Sequence, residues 1–200
     1  MAFGLPQISY MGFPLAVPCA GHAGVGFRRA VSHDAPALMT HFMALTPEDR
    51  RMRFCATLDE SAIRRHVDGL WSRNTLVLAA HDGPLWTGPL YAAGRVCAVA
   101  ELALDGAEAE LAISVDPALR RRGVGTYLVQ AAARLIGPRG VRRIGAYTLP
   151  GNRSFLALAR ACDAAVEHGP DEVEVTFDVA ALRRAYRQRR ASDYMLLRAG

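Results

Sequence analysis

The stretch "ISVDPALRRRGVGTYLVQAAARL", residues 113–135, decides the fold. A β-like run stops at Pro117, which cannot donate to a strand ladder. Arg120, Arg121 and Arg122 follow, then Gly123 and Gly125 around Val124. From Gly123 to Ile136 the apolar residues Val124, Leu128, Ala131, Leu135 and Ile136 recur at helical spacing. Strand, basic turn, bare backbone and helix start come in that order. A helix N-terminus offers unpaired N–H groups and the positive end of a dipole, so it favours an anion. Glycines let a ligand approach the main chain and let several N–H groups converge. A pyrophosphate suits such a turn. Three other readings stand beside it: a solvated helix start, a phosphate-contacting patch for nucleic acid, and a Rossmann turn. The last fails because Leu128 stands where the third glycine of that fingerprint belongs.

Outward from this stretch, "RVCAVAELALD" (95–105), the turn signal "DGAE" (105–108) and "AELAISVDP" (109–117) predict a long antiparallel hairpin. "VRRIGAYTL" (141–149) predicts the strand after the helix, so the helix is a crossover and the strands it joins are a parallel pair. "PGNRSFLALARACDA" (150–164) predicts a turn, an N-cap at Asn152 and a short helix. "EVEVTFDV" (172–179) alternates like a half-exposed strand. Upstream, "VGFRRAVS" (25–32) and "TLVLAAHD" (75–82) predict strands. Helices are predicted over 33–46 with Asp34 as N-cap, over 46–54 from a Thr-Pro start, and over 59–71. "DGPLWTGPL" (82–90) carries turn signals.

The 200 residues predict one domain. Residues 1–24, rich in Gly, Pro and Ala, predict an irregular arm; 25–179 is the domain; 180–200 is a basic tail or helix carrying Arg183, Arg184, Arg187, Arg189 and Arg190. A solvated amphipathic end is the ordinary reading of that tail. The fold class is α/β (α+β), a mixed, mostly antiparallel sheet of about seven strands flanked by helices. Cys19, Cys55, Cys97 and Cys162 form no CxxC, which argues against zinc or a disulfide framework. No metal is expected. Neither a secretory signal nor a bilayer-spanning run is predicted, and the expected location is cytoplasmic. The net charge is +5 and all 24 basic residues are arginine, so Schiff-base and P-loop lysine chemistry are excluded.

The run "AELAISVDPALRRRGVGTYLV" (109–129) resembles the acetyl-CoA signature of the GNAT superfamily of N-acetyltransferases, Arg-x-x-Gly-x-Gly after a strand ending in Val-Asp-Pro. The resemblance covers residues 25–179 and implies one GNAT domain whose fourth and fifth strands splay around acetyl-CoA. It implies that the backbone of Ile113 and Val115 pairs with the pantetheine arm. It places the pyrophosphate on the loop through Arg120, Arg121, Arg122, Gly123, Val124, Gly125 and Thr126, and Asn152 near the pantetheine end. It implies that a backbone N–H near Val115 polarises the thioester carbonyl. An alkyl ammonium has a pKa near ~10.4, so acyl transfer to it needs a base. Glu110 is that base by a second resemblance. "HFMALTPEDRRMRF" (41–54), with its Thr-Pro helix and Arg51-x-Arg53-Phe54, followed by "AELAISV", is similar to the acetyltransferase domain of Pat-type protein lysine acetyltransferases. Glu101 and Glu108 are the alternative bases.

That second likeness implies a lysine side chain on a partner protein such as an acyl-CoA synthetase as the acceptor. A small-molecule amine is the alternative acceptor, and a silent acyl-CoA-binding module the alternative role. A nucleic-acid partner is disfavoured because the scattered arginines have few aromatics near them. The chain departs from the family at Ala159, where many members carry a Tyr that protonates the leaving thiolate. A thiol pKa near ~8.5 lets CoA leave without it, and Tyr147 is a candidate substitute.

Overall fold

Each strand of the sheet is read from its neighbours in the computed structural model, which describes residues 25–82 and 95–198. The predicted N-terminal arm and most of the 82–90 turn lie outside the described residues. The strands are β1 (Val25–Arg29), β2 (Thr75–Asp82), β3 (Arg95–Asp105), β4 (Glu108–Val115), β5 (Arg143–Thr148), β6 (Ala165–His168) and β7 (Val173–Asp178). The helices are α1 (Ala35–Ala44), α2 (Pro47–Phe54), α3 (Glu60–Gly69), α4 (Val124–Ile136), α5 (Arg153–Ala161) and α6 (Val179–Arg198). One seven-stranded sheet runs β1-β2-β3-β4-β5-β7-β6, antiparallel throughout except for the β4–β5 pair. The α4 crossover accounts for that exception, as the sequence implied.

Strand alternation divides the core in two. Ala98, Ala100 and Leu102 of β3 and Ala109 and Leu111 of β4 point to one face, where α4, α5 and α6 cover them. Val96 and Val99 of β3 point to the other, under α1 and α3. β3 is buried on both faces over most of its length, which is why it reads as a near-continuous apolar run. The helices cover the second face from β1 to the C-terminal end of β4; beyond β4 it is open, and Tyr147 of β5 is half exposed there.

Several local expectations hold for the stated physical reasons. Thr46 caps α2 by accepting the Asp49 N–H at 3.1 Å, and Asp59 caps α3 by accepting the Ala62 N–H at 2.7 Å. Gly106 turns the β3–β4 hairpin at φ 56°. Asp34 stands at the N-cap of α1, but its carboxylate makes no cap bond. It accepts instead from Arg28 at 2.6 and 2.7 Å and from the Val31 N–H at 2.8 Å. Arg28 wins because its guanidinium offers two parallel charged donors, whereas the cap offers an uncharged backbone N–H.

Two elements differ from expectation. β6 was not read from the sequence; it is four residues long, mostly exposed, and pairs only with β7. The basic C-terminal segment is a helix that packs along α4 through Val179, Leu182 and Tyr186, all buried, rather than a solvated end. No helix among the described residues is long and apolar enough to cross a membrane.

Candidate active site

β4 and β5 pair only at Glu108 with Arg143, Ala109 with Ile144 and Glu110 with Gly145. Beyond Glu110 the strands part, although β4 continues to Val115 and β5 to Thr148. β4 keeps an unbroken antiparallel register with β3 all the way to Val115. The β-bulge in this half of the sheet lies between β2 and β3 instead, at Ala80–His81. The Asp116 N–H bonds the Cys97 carbonyl at 2.8 Å. Antiparallel alternation therefore turns the N–H and C=O groups of Val115 and Ile113 the other way, into the gap beside β5. These are the two residues expected to present main chain there. The Val115 carbonyl accepts from Arg120 Nε at 3.1 Å; its N–H has no strand partner.

The gap leads to the start of α4. Gly123 is the N-cap at φ 80° and ψ 0°, and the first helical bond runs from the Tyr127 N–H to the Gly123 carbonyl at 2.9 Å. The N–H groups of Val124, Gly125 and Thr126 belong to the first turn and have no intrahelical acceptor. Arg121 is also left-handed, at φ 58°, although it carries a side chain. A non-glycine residue is held there only where its surroundings dictate it, and alternation of this kind shapes an anion-binding nest. A Cβ on Gly125 would lie 2.6 Å from Leu158 Cδ1 and 3.5 Å from Val115 Cγ2, so only glycine fits without a shift. Main chain, dipole and bare surface here fit a diphosphate. Arg121 and Arg122 are exposed beside the turn. Arg120 is committed elsewhere, to Asp49 of α2 at 2.7 Å as well as to Val115.

Asn152 caps α5. Its Oδ1 accepts the Phe155 N–H at 3.2 Å and its Nδ2 donates to Thr148 Oγ1 at 2.8 Å. Both ends of the amide thus fix the exit of β5. Ala159 is fully buried in the main core, so this helix position faces packing rather than the gap.

The three candidate bases have distinct environments. Glu110, Ala112 and Ser114 point to the second face of the sheet, Ser114 under His41 of α1 and Glu110 where that face is open. Glu110 is exposed at the branch point and lines two adjoining clefts of about 480 and 430 Å³. Glu108 is exposed and paired with Arg143. Glu101 is buried and pairs with Arg53 at 2.5 Å and His66 at 3.0 Å. Burial alone would raise its pKa, but the Arg53 guanidinium and His66 hold the carboxyl below its ordinary range. A carboxylate so engaged is a poor proton acceptor. Tyr147 lies on the same face as Glu110, with its hydroxyl 3.5 Å from Glu174 Oε1. The Glu174 charge raises its pKa, so the phenol stays protonated.

The model of the "Acetyltransferase (GNAT) family" matches residues 37–164. No curated protein sequence matches the chain. Among solved structures, the GNAT domain of S. lividans PAT superposes with a TM-score of 0.68 at 22% identity, over 82% of this chain and 96% of that one. Spermidine N-acetyltransferase from Vibrio cholerae, solved in complex with CoA and spermine, superposes with a TM-score of 0.61 at 11% identity, over 79% and 97%. The cAMP-binding acyltransferase from Mycobacterium smegmatis gives 0.55 at 20% identity, over 84% of this chain and 47% of that one. At these identities the likeness is one of fold.

Proposed function

The chain belongs to the GNAT acetyltransferase family, and from that premise we propose that it transfers an acetyl group from acetyl-CoA directly to an amine. The carrying observation is the parting of β4 from β5 after Glu110, which leaves the Ile113 and Val115 N–H groups without a strand partner and leads to the Gly123 turn. In this reading the first-turn N–H groups of α4 hold the diphosphate and Ile113 pairs with the pantetheine. The Val115 N–H donates to the thioester oxygen.

Glu110, at the branch point, accepts a proton from the acceptor ammonium, directly or through one water. The amine nitrogen then forms a bond to the acetyl carbon as the carbon–sulfur bond breaks. In this reading Tyr147 gives its phenolic proton to the leaving thiolate and regains one from the nitrogen, which sheds its second proton as the amide forms. The acceptor we favour is a protein lysine side chain, with an acyl-CoA synthetase as the first partner to try. The open face beyond β4 supports this, because Glu110, Glu174 and Asp105 line its cleft and suit a cation presented from another surface. The cytoplasm, where such partners and the acetyl donor meet, is the proposed location.

Calorimetric titration with acetyl-CoA, followed by a thiol-release assay, tests the reading. The assay panel contains an acyl-CoA synthetase, a lysine peptide and a polyamine. Binding with turnover on the protein or peptide supports it. Turnover on the polyamine alone moves the acceptor to small amines. Binding without any turnover leaves a silent acyl-CoA-binding module, and absence of binding overturns the proposal.

A further inference from the structure

α6 brings a residue to the Gly123 turn from outside both the family match and the stretch that carries the acetyl-CoA signature. Val179, Leu182, Tyr186 and Arg189 recur at the spacing of one helical face, and the first three are buried. The helix runs antiparallel to α4, as three contacts along its length show. Arg183 Cδ lies 2.7 Å from the Cβ position of Gly137, at the C-terminal end of α4. Tyr186, between Arg183 and Arg189 on α6, meets Tyr127 one turn into α4, with hydroxyls 3.4 Å apart. Arg189 Nη1 lies 3.6 Å from the Cβ position of Gly123, at the N-terminal end.

An apolar residue would continue this packing face. A guanidinium there is electrostatically misplaced, since it sits against the positive end of α4. Asp178 cannot relieve it, being at the far end of the helix, where it caps the Ala181 N–H. Arg189 has no hydrogen bond or ion pair among the described residues. A cation placed against a helix end that itself favours anions becomes favourable once a multivalent anion lies between them.

We propose that Arg189 is a phosphate-binding residue that closes over the Gly123–Thr126 turn, donating to the diphosphate of the CoA-type donor. The inference rests on the acetyltransferase reading for the identity of the ligand. It makes α6 part of the donor site rather than an appendage, and it ties docking of that helix to donor binding.

Calorimetry with CoA, dephospho-CoA and inorganic pyrophosphate, on the wild-type chain and the Arg189→Gln and Arg189→Lys variants, tests it. Loss of a charge-assisted contact is expected to weaken CoA and dephospho-CoA alike by about tenfold, with the lysine variant in between. Without ligand, Arg189→Gln is expected to unfold at the wild-type temperature or above it, because a repulsion has been removed. A residue that only packs would lower that temperature instead. Unchanged dephospho-CoA affinity, a loss confined to CoA (which alone carries the 3′-phosphate), or a lowered ligand-free unfolding temperature would overturn the proposal. If the wild-type chain binds neither CoA nor dephospho-CoA, the acetyltransferase reading fails. The pyrophosphate titration then decides Arg189 by itself, with weaker binding to Arg189→Gln supporting it and equal binding or none overturning it.

Discussion

Arg53 of α2 and Glu101 of β3 form an ion pair at 2.5 Å, with only 6% and 8% of their side chains exposed. His66 of α3 joins the same carboxylate, so one buried acid ties two helices to the sheet. The Arg53 guanidinium also lies 4.8 Å from the Phe54 ring centroid and 5.8 Å from that of Phe42. Removing one partner strands a buried charge. Arg53→Met is therefore expected to cost about 3–5 kcal/mol of unfolding free energy, and Arg53→Met with Glu101→Leu to recover much of it. Urea unfolding of the single and double variants checks this. Equal losses in the two would mean that the guanidinium acts by packing alone.

The same pair directs attention to Glu110. Glu101 is spoken for by Arg53, whereas Glu110 is exposed at the point where β4 leaves β5. Glu110→Gln keeps the shape and loses the proton acceptor. Turnover is expected to fall by about 10²–10³, in the range of a lost general base, while acetyl-CoA affinity stays at the wild-type value. Turnover that survives the substitution would remove Glu110 from the role, and Glu108 would be the next residue to change.

What was legible in the sequence is what short-range chemistry dictates. The Asp105–Glu108 hairpin, the stop at Pro117, the glycine turn and the amphipathic α4 all follow from residues within a few positions of one another. The β4–β5 separation came from family resemblance, and the Glu110 face needed the strand register. Arg53, His66 and Glu101 meet across distant parts of the chain, and Arg51 and Arg53 alone read as a solvated helix face. The charge on Asp34 diverted it from its cap to Arg28, a choice only the tertiary partner reveals. β6 is too short and exposed to carry a pattern, and the docking of α6 is hidden by its many arginines.

Gly123 combines two requirements, a left-handed backbone and room for an anion between the main chain and Arg189. Gly123→Ala tests the first, and at φ 80° it is expected to cost about 1–2 kcal/mol of stability. Gly123→Glu tests the second, because a carboxylate then occupies the place proposed for phosphate. Calorimetry is expected to show acetyl-CoA binding weakened at least tenfold beyond the alanine variant. If the two variants bind equally, backbone strain alone explains the glycine and the turn is not the anion site.

His41 provides a prediction on stability rather than catalysis. It is buried between α1 and β4, with Nε2 2.8 Å from Ser114 Oγ, and burial lowers its pKa from 6.5 to about 4 despite its bond to Val96. Between those two values the unfolded chain holds a proton on this imidazole and the folded chain does not. Protons therefore favour unfolding across that window. The contribution is complete above pH 6.5 and declines as pH falls, levelling off below about 4 where the folded state also takes the proton. A difference of this size corresponds to about 3 kcal/mol. Urea midpoints measured from pH 7 to pH 4 are expected to fall more steeply for the wild-type chain than for His41→Gln, whose amide does not titrate. Parallel pH profiles would show that His41 is not the group responsible, whatever the difference in their absolute stability.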